Sequence, residues 1–229
     1  MALLAPLHPD LWVCRVPYRA LGLAIGRQLV AVRLPRGGLW IHSPIPVTNE
    51  LRRELAELGE VRHVVGPNCY HDECLREFQQ AYPHALFHAA PGLAKKKPDV
   101  RFGAELSDIN VPHPDWAPVL EQHLVAGTPK LNEVVFFHRA SRSLMLADLA
   151  FNFQPPAPFL TMLVLRVYGI WGKFAASRFL RRLVVNPTAT RASLDRILAW
   201  DFDRIIVGHG DNIETGGKRV FREAFSFLR

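Results

Sequence analysis

Three short polar segments carry the side chains best suited to chemistry, and each follows an apolar run. Asn68-Cys-Tyr-His-Asp-Glu73 follows Val61–Val65, Asp148 follows Ser143–Ala147, and Gly208-His-Gly-Asp211 follows Ile205-Ile-Val207. Together they offer His71, Asp72, Glu73, Asp148 and His209, imidazoles and carboxylates that can close around one divalent ion. Taken singly, an Asp after a strand is more often a turn former or helix cap, and His71 beside Asp72 is simply explained as a surface pair. His209 is harder to dismiss, because a glycine on either side permits unusual backbone angles and close approach. Other chemistries lack their motifs. No Gly-x-Ser-x-Gly elbow is present, Gly216-Gly-Lys218 lacks the rest of a phosphate loop, and Gly208-His-Gly210 lacks the third glycine of a dinucleotide fingerprint.

The elements that must position these loops can be read from patterning. Gln28–Leu34 and Leu39–Ser43 are β-prone runs around Pro35-Arg-Gly-Gly38, which reads as a hairpin. Thr48 is placed to cap a helix with Leu51, Leu55 and Leu58 on one face and Gly59 as its stop. Val61–Val65 is a strand, residues 73–82 a helix burying Leu75 and Phe78, and Ala85–His88 another strand. Residues 91–120 show no clear pattern, and Lys95-Lys-Lys97 reads as a solvated basic patch. Val134–Phe137 and Ser143–Ala147 form a second hairpin that runs into Asp148. Gln154-Pro-Pro-Ala-Pro158 is a stiff connector, and residues 159–183 read as helical. Thr190 is expected to cap a helix bearing Leu194, Ile197 and Leu198. Ile205–Val207 is a strand core, and a last helix spans about 218–228. Helices alternating with apolar strands indicate a layered α/β fold, in which sites gather at strand ends.

Composition sets the bounds. The 229 residues are 49% hydrophobic and 21% charged, which supports a packed core rather than disorder. The formal charge of +7 does not by itself point to nucleic acid, because much of the excess lies within 166–191. Cys14, Cys69 and Cys74 are odd in number and form no Cys-x-x-Cys pattern, which fits a reducing cytoplasm better than a disulfide framework. The first residues lack the features of a signal peptide, and the apolar run Phe159–Trp171 is interrupted by Arg166.

The order of these loops and strands resembles the metallo-β-lactamase fold superfamily, and within it a branch described only as a domain of unknown function. The stretches that carry the likeness are Gly38–Pro44, Gly66–His71, Val135–Ser141 through Asp148, and Trp200–Gly210. The resemblance implies one domain over residues 1–229, a four-layer αββα sandwich with a helical insertion near 159–183. Active members of the superfamily share a His-x-His-x-Asp-His loop, a third histidine before the hairpin, a bridging Asp and a final His. They use one or two metals, usually zinc, to hydrolyse esters, amides, thioesters or phosphoesters.

This chain departs from that pattern. Placing Asp72 on the motif's Asp puts Asn68 and Tyr70 where the first two histidines belong and Glu73 where the last belongs. Val125–Pro129 holds no third histidine, and His123 and His138 lie outside the expected position. A one-residue shift brings His71 in instead. The expectation is therefore at most one divalent ion, zinc first with manganese or iron(II) as alternatives, or none. Its ligands would be Asp148, His209 and one or two of His71, Asp72 and Glu73, with Asp72 and His71 as candidate catalytic groups. Two functional readings follow: a single-metal hydrolase of an ester, thioester or phosphoester, or a fold relative that binds a ligand or partner without hydrolysis. Residues 160–185 mix apolar side chains with arginines, so a peripheral contact with an anionic membrane is a third expectation. The competing explanation is a helical insertion packed over the site.

Overall fold

In the computed structural model, which describes residues 2–106 and 112–228, the first half forms β1 (Leu4–His8), β2 (Leu11–Val16), the two-residue β3 (Arg19–Ala20) and β4 (Leu23–Ala24), and β5 (Arg27–Arg33). It continues through β6 (Leu39–His42), α1 (Asn49–Leu58), β7 (Val61–Gly66), α2 (Leu75–Ala81), β8 (Leu86–Ala89), α3 (Leu93–Lys96) and β9 (Ala104–Glu105). The second half contributes β10 (Leu120–Leu124), β11 (Val134–His138), β12 (Ser143–Met145), β13 (Phe151–Asn152), α4 (Phe159–Val167) and β14 (Phe174–Ala175). α5 (Arg178–Leu183), α6 (Pro187–Ala199), β15 (Arg204–Ile206) and α7 (Gly217–Ala224) complete it, with a 3-10 turn at Ser226–Leu228.

Two sheets carry the structure. The larger runs β1-β2-β5-β6-β7-β8-β9, antiparallel up to the β5–β6 hairpin and parallel from β6 onwards. The smaller runs β10-β11-β12-β15, with β15 parallel to β12. Both sheets are covered on both faces, so their strands read as nearly continuous apolar runs. Alternation then sorts the side chains. Val30, Val32, Trp40 and Val65 meet Leu120, Phe136, Met145 and Ile206 between the sheets. Leu29, Ile41, Val64 and Phe87 face the other way and bury Leu51 and Leu55 of α1 with Leu75 and Phe78 of α2. Val135, Phe137, Leu144 and Ile205 likewise pack on Leu194 and Ile197 of α6 and Phe221 of α7. The result is the four-layer αββα arrangement.

Local signals account for much of this. Thr48 Oγ1 accepts from the Leu51 N–H, and the Gly59 N–H returns to the Leu55 carbonyl, so α1 begins and ends where its side chains dictate. Several sequence expectations need correction. Residues 159–183 are not one helical segment: α4 stops at Val167, Gly169 takes a φ of +76°, and Phe174–Ala175 pairs with β13 before α5 begins. The α6 cap is Asn186, whose side chain accepts from Ala189 N–H, with Pro187 opening the helix. Thr190 lies inside α6, and its hydroxyl donates to the Ala126 carbonyl at 2.9 Å. The lysine run is not simply solvated, since Lys96 pairs with Asp72 and Lys97 with Asp99. The patterning does not reveal β1–β4, α3, β9, β10, β13 or β14.

Candidate metal centre

The loop after β7 is organised by Asn68. Its buried side chain accepts from the backbone N–H groups of Tyr70 and His71, both at 2.8 Å, which folds the loop back on itself. Its Nδ2 donates to Glu133 Oε2 and Asp148 Oδ2, both at 2.9 Å. The position the resemblance assigns to a first histidine thus holds a residue that ties two other segments together. His71, buried, is oriented by a short hydrogen bond between its Nδ1 and the hydroxyl of Ser43, just past the end of β6.

Asp148 is held by the residue that sequence reasoning missed. Glu133 is fully buried, and its carboxylate accepts from the backbone N–H groups of Ala147 at 2.8 Å and Asp148 at 2.7 Å as well as from Asn68. Burial, with Asp148 beside it, pushes the Glu133 carboxyl up to about 7 despite those hydrogen bonds. The available signal was a carboxylate directly before the wholly apolar strand Val134–Phe137, a place where charge is costly unless satisfied.

His209 is presented by its two glycines. A Cβ at Gly208 would lie 2.7 Å from the Ala147 carbonyl oxygen and 2.9 Å from His71 Cε1. Gly210 sits at φ +92°, and a Cβ there would collide with the Asn152 carbonyl. The His209 ring stacks against Tyr18 and against Phe151, with centroids at 6.2 and 6.0 Å. Its Nδ1 donates to the Gly26 carbonyl at 2.5 Å, which leaves the Nε2 lone pair facing inward.

His71, Asp148 and His209 converge. The His71 and His209 Nε2 atoms lie 3.1 Å apart, His71 Nε2 is 3.3 Å from Asp148 Oδ2, and His209 Nε2 is 3.6 Å from Asp148 Oδ1. Bonds of about 2.05 Å in tetrahedral geometry place ligand atoms about 3.3 Å apart, so these spacings match three corners around a small divalent ion. Burial followed by the nearby His71 pushes the His209 imidazole down to about 4, which favours the neutral ligand form. Burial raises the Asp148 carboxyl, but His71, His209 and the Asn68 amide outweigh it and hold the group well below the ordinary carboxylate range.

Asp72 and Glu73 do not join this cluster. Asp72 pairs with Lys96 at 3.1 Å, and Glu73 pairs with Arg27 at 3.3 Å and accepts from the Tyr18 hydroxyl at 2.5 Å. Both nevertheless line a cavity of about 350 Å3 that has His71, Asp148 and His209 on its floor. Ile25, Phe151, Phe179 and Leu183 supply apolar wall. His138 is turned away towards Ser141 Oγ, 2.7 Å from its Nδ1, and His123 is buried within β10.

No curated protein matches the chain. Solved structures do. The metallo-beta-lactamase from Pontibacter korlensis superposes with a TM-score of 0.65 at 11% identity, over 98% of this chain and 97% of that one. The metallo-beta-lactamase from Hirschia baltica gives 0.67 at 10% identity, over 99% and 97%. The Flv1 flavodiiron core from Synechocystis sp. PCC6803 gives 0.69 at 12% identity, over 98% of this chain and 60% of that one. At such identities the likeness establishes the metallo-β-lactamase fold and says nothing of the reaction. A family model described as Domain of unknown function (DUF4336) matches residues 21–168, more than half of the chain, and the chain belongs to that family.

Proposed function

We propose that the protein is a single-metal hydrolase of an ester, thioester or phosphoester, with His71, Asp148 and His209 as the ligands at this centre. The convergence of three ligand atoms on the floor of a cavity carries the reading. Two imidazoles and one carboxylate suit zinc first, with manganese or iron(II) as alternatives. An ion held there would lower the pKa of water towards 7 and polarise a carbonyl or phosphoryl group. The chain's own residues prepare the geometry. Gly26 fixes the tautomer of His209, Ser43 orients His71, and Asn68 with Glu133 holds Asp148. Asp72 stands on the cavity wall, held by Lys96, and takes the acid/base role, whereas His71 serves as a ligand. The apolar wall suits a substrate with a hydrophobic portion next to its reacting group.

A second reading, ligand binding without hydrolysis, is favoured by Asn68 and Tyr70. They stand where the resemblance places two histidines, and Asn68 is committed to structural hydrogen bonds. Metal analysis of protein purified without chelator tests the site common to both readings. Asp148→Ala and His209→Ala should each remove one metal equivalent, and unchanged metal content in both would dismiss the centre. A panel of nitrophenyl ester, thioester and phosphodiester substrates then separates the readings. Metal-dependent turnover that disappears in Asp72→Asn supports hydrolysis, and full occupancy without turnover supports binding alone.

A further inference from the structure

We propose a second metal site, structural rather than catalytic, formed by His63, His113 and Asp115. His63 lies near the start of β7, the opposite end of that strand from the loop carrying His71. His113 and Asp115 lie on the segment that leads into β10. His63 Nε2 is 3.1 Å from Asp115 Oδ2, and His113 Nδ1, 3.8 Å from the same oxygen, accepts the Asp115 backbone N–H at 3.2 Å, a hydrogen bond that an ion on Nδ1 would replace. These distances bracket the roughly 3.3 Å edge expected between ligands of a tetrahedral zinc ion. Two imidazoles and a carboxylate form the same donor set as the first centre.

The surroundings support an ion. His63 Nδ1 is 3.0 Å from Nε2 of the buried His88, so with Nε2 on an ion the Nδ1–H donates to His88. That is the outer hydrogen bond by which a ligating imidazole is ordinarily oriented. His63, His88 and His113 all pack on the Trp116 ring, with centroids 5.3, 4.9 and 4.8 Å away. Trp116 is fully buried and closes the inner side, while His113 and Asp115 remain partly exposed and leave an entry path. The ligands come from two places 50 or more residues apart, the third layer's entry segment and a central strand of the first sheet. An ion at this position therefore pins the chain where it passes from one sheet to the other. The metal-free alternative is a hydrogen-bonded chain from His88 through His63 to Asp115.

The test uses the full chain, stripped with chelator and titrated with Zn(II), with metal content and thermal midpoint as readouts. Asp115→Ala and His113→Ala alter partly exposed side chains and should leave the fold intact. Each should remove one zinc equivalent that persists in the Asp148→Ala/His209→Ala double variant, together with the zinc-dependent rise in midpoint which that double variant retains. If Asp115→Ala and His113→Ala bind as much zinc as the parent, with the same rise in midpoint, the second site is refuted. Should the double variant lose all zinc, the hydrolase centre stands and the second site falls. The reverse result, with all zinc lost in Asp115→Ala, keeps the second site and removes the first.

A separate surface points to an anionic lipid bilayer as a partner. α4 buries Thr161 and Leu165 but turns Phe159, Leu160, Leu163 and Val167 outward, with Phe159 74% and Leu160 64% exposed. Leu21 is fully exposed at the tip between β3 and β4, and that hairpin is tied to α4 by the Ala24 N–H donating to Thr161 Oγ1 at 3.2 Å. Arg166, Lys173, Arg178 and Arg182 are exposed within or after α4, Arg19 is exposed beside Leu21, and no acidic residue occurs between 155 and 194. An apolar helix face in a stretch whose charged residues are all cations suits an anionic headgroup layer. Among the described residues no helix is long and apolar enough to cross a membrane, so the contact is peripheral.

Sedimentation with phosphatidylcholine vesicles, with and without phosphatidylserine, decides it. The parent should bind the anionic vesicles and release them at high salt, and Leu160→Asp/Leu163→Asp should weaken binding about 10-fold or more without lowering the thermal midpoint. Absence of binding by the parent, equal binding by the variant, or concentration-dependent dimerisation lost in the variant without any vesicle binding would each overturn the lipid assignment.

Discussion

Glu133 does no chemistry in the proposed reaction, yet the centre depends on it. Its carboxylate is the acceptor for two consecutive backbone N–H groups just past β12 and for the Asn68 amide. Glu133→Leu would strand these buried donors at about 1–3 kcal/mol each, and is expected to lose most of the protein's stability. Glu133→Gln keeps the shape but presents an amide where a donor is already present. It should fold and bind metal about 10–100-fold more weakly, measurable by competition with a chromophoric chelator. His138 supports a different prediction. Burial, with His8 nearby, pushes it down to about 4. The unfolded chain therefore takes up this proton first as the pH falls below about 6.5, and folding loses up to about 3 kcal/mol from this residue between pH 7 and pH 4. Urea midpoints at pH 7 and pH 5 should differ for the parent, and His138→Asn should flatten that difference. An unchanged pH slope in the variant would show that His138 is not held neutral.

At the scale of elements, the strand-to-loop junctions decide whether the ligands meet. Gly210 combines a φ of +92° with direct apposition to the Asn152 carbonyl. Gly210→Ala must distort the His209 loop or push away β13, at a cost of about 1–3 kcal/mol for the backbone conformation alone. It should lower the thermal midpoint and abolish metal binding at this centre. Gln28 marks the same junction from the other sheet. Its backbone N–H donates to the Gly208 carbonyl at 3.0 Å, and its side chain reaches the Val207 carbonyl at 3.2 Å. Most elements here were legible because their causes are local: the Thr48 cap, the Pro35–Gly38 turn, and the apolar runs before each polar loop. Two were misread because a non-local partner intervened. Phe174–Ala175 leaves the helix to pair with β13, and Thr190 gives its hydroxyl to Ala126 while Asn186 takes the cap.

For the whole molecule, the two sheets bring together ligands that lie 138 residues apart in the chain, as His71 and His209 do. A metal that binds only the folded arrangement stabilises it by mass action, about 2.7 kcal/mol at 100 times its dissociation constant. Chelation should therefore lower the thermal midpoint of the parent, and the share of that loss belonging to this centre should be absent in Asp148→Ala/His209→Ala. Equal chelator sensitivity in both proteins would place all the stabilising metal elsewhere.

The sequence by itself determined the strand-ending loops, the layered α/β class and the set of five candidate ligands, because periodicity, turn chemistry and glycine placement act over a few residues. Only the tertiary structure decided which of the five meet. Asp72 and Glu73 are drawn off by Lys96 and Arg27, and His71 is turned inward by Ser43. It also decided that a buried Glu133 holds Asp148, and that His63 faces an aspartate 52 residues further on. Those outcomes depend on which side chains the packing of distant segments makes neighbours, and no local pattern encodes that choice.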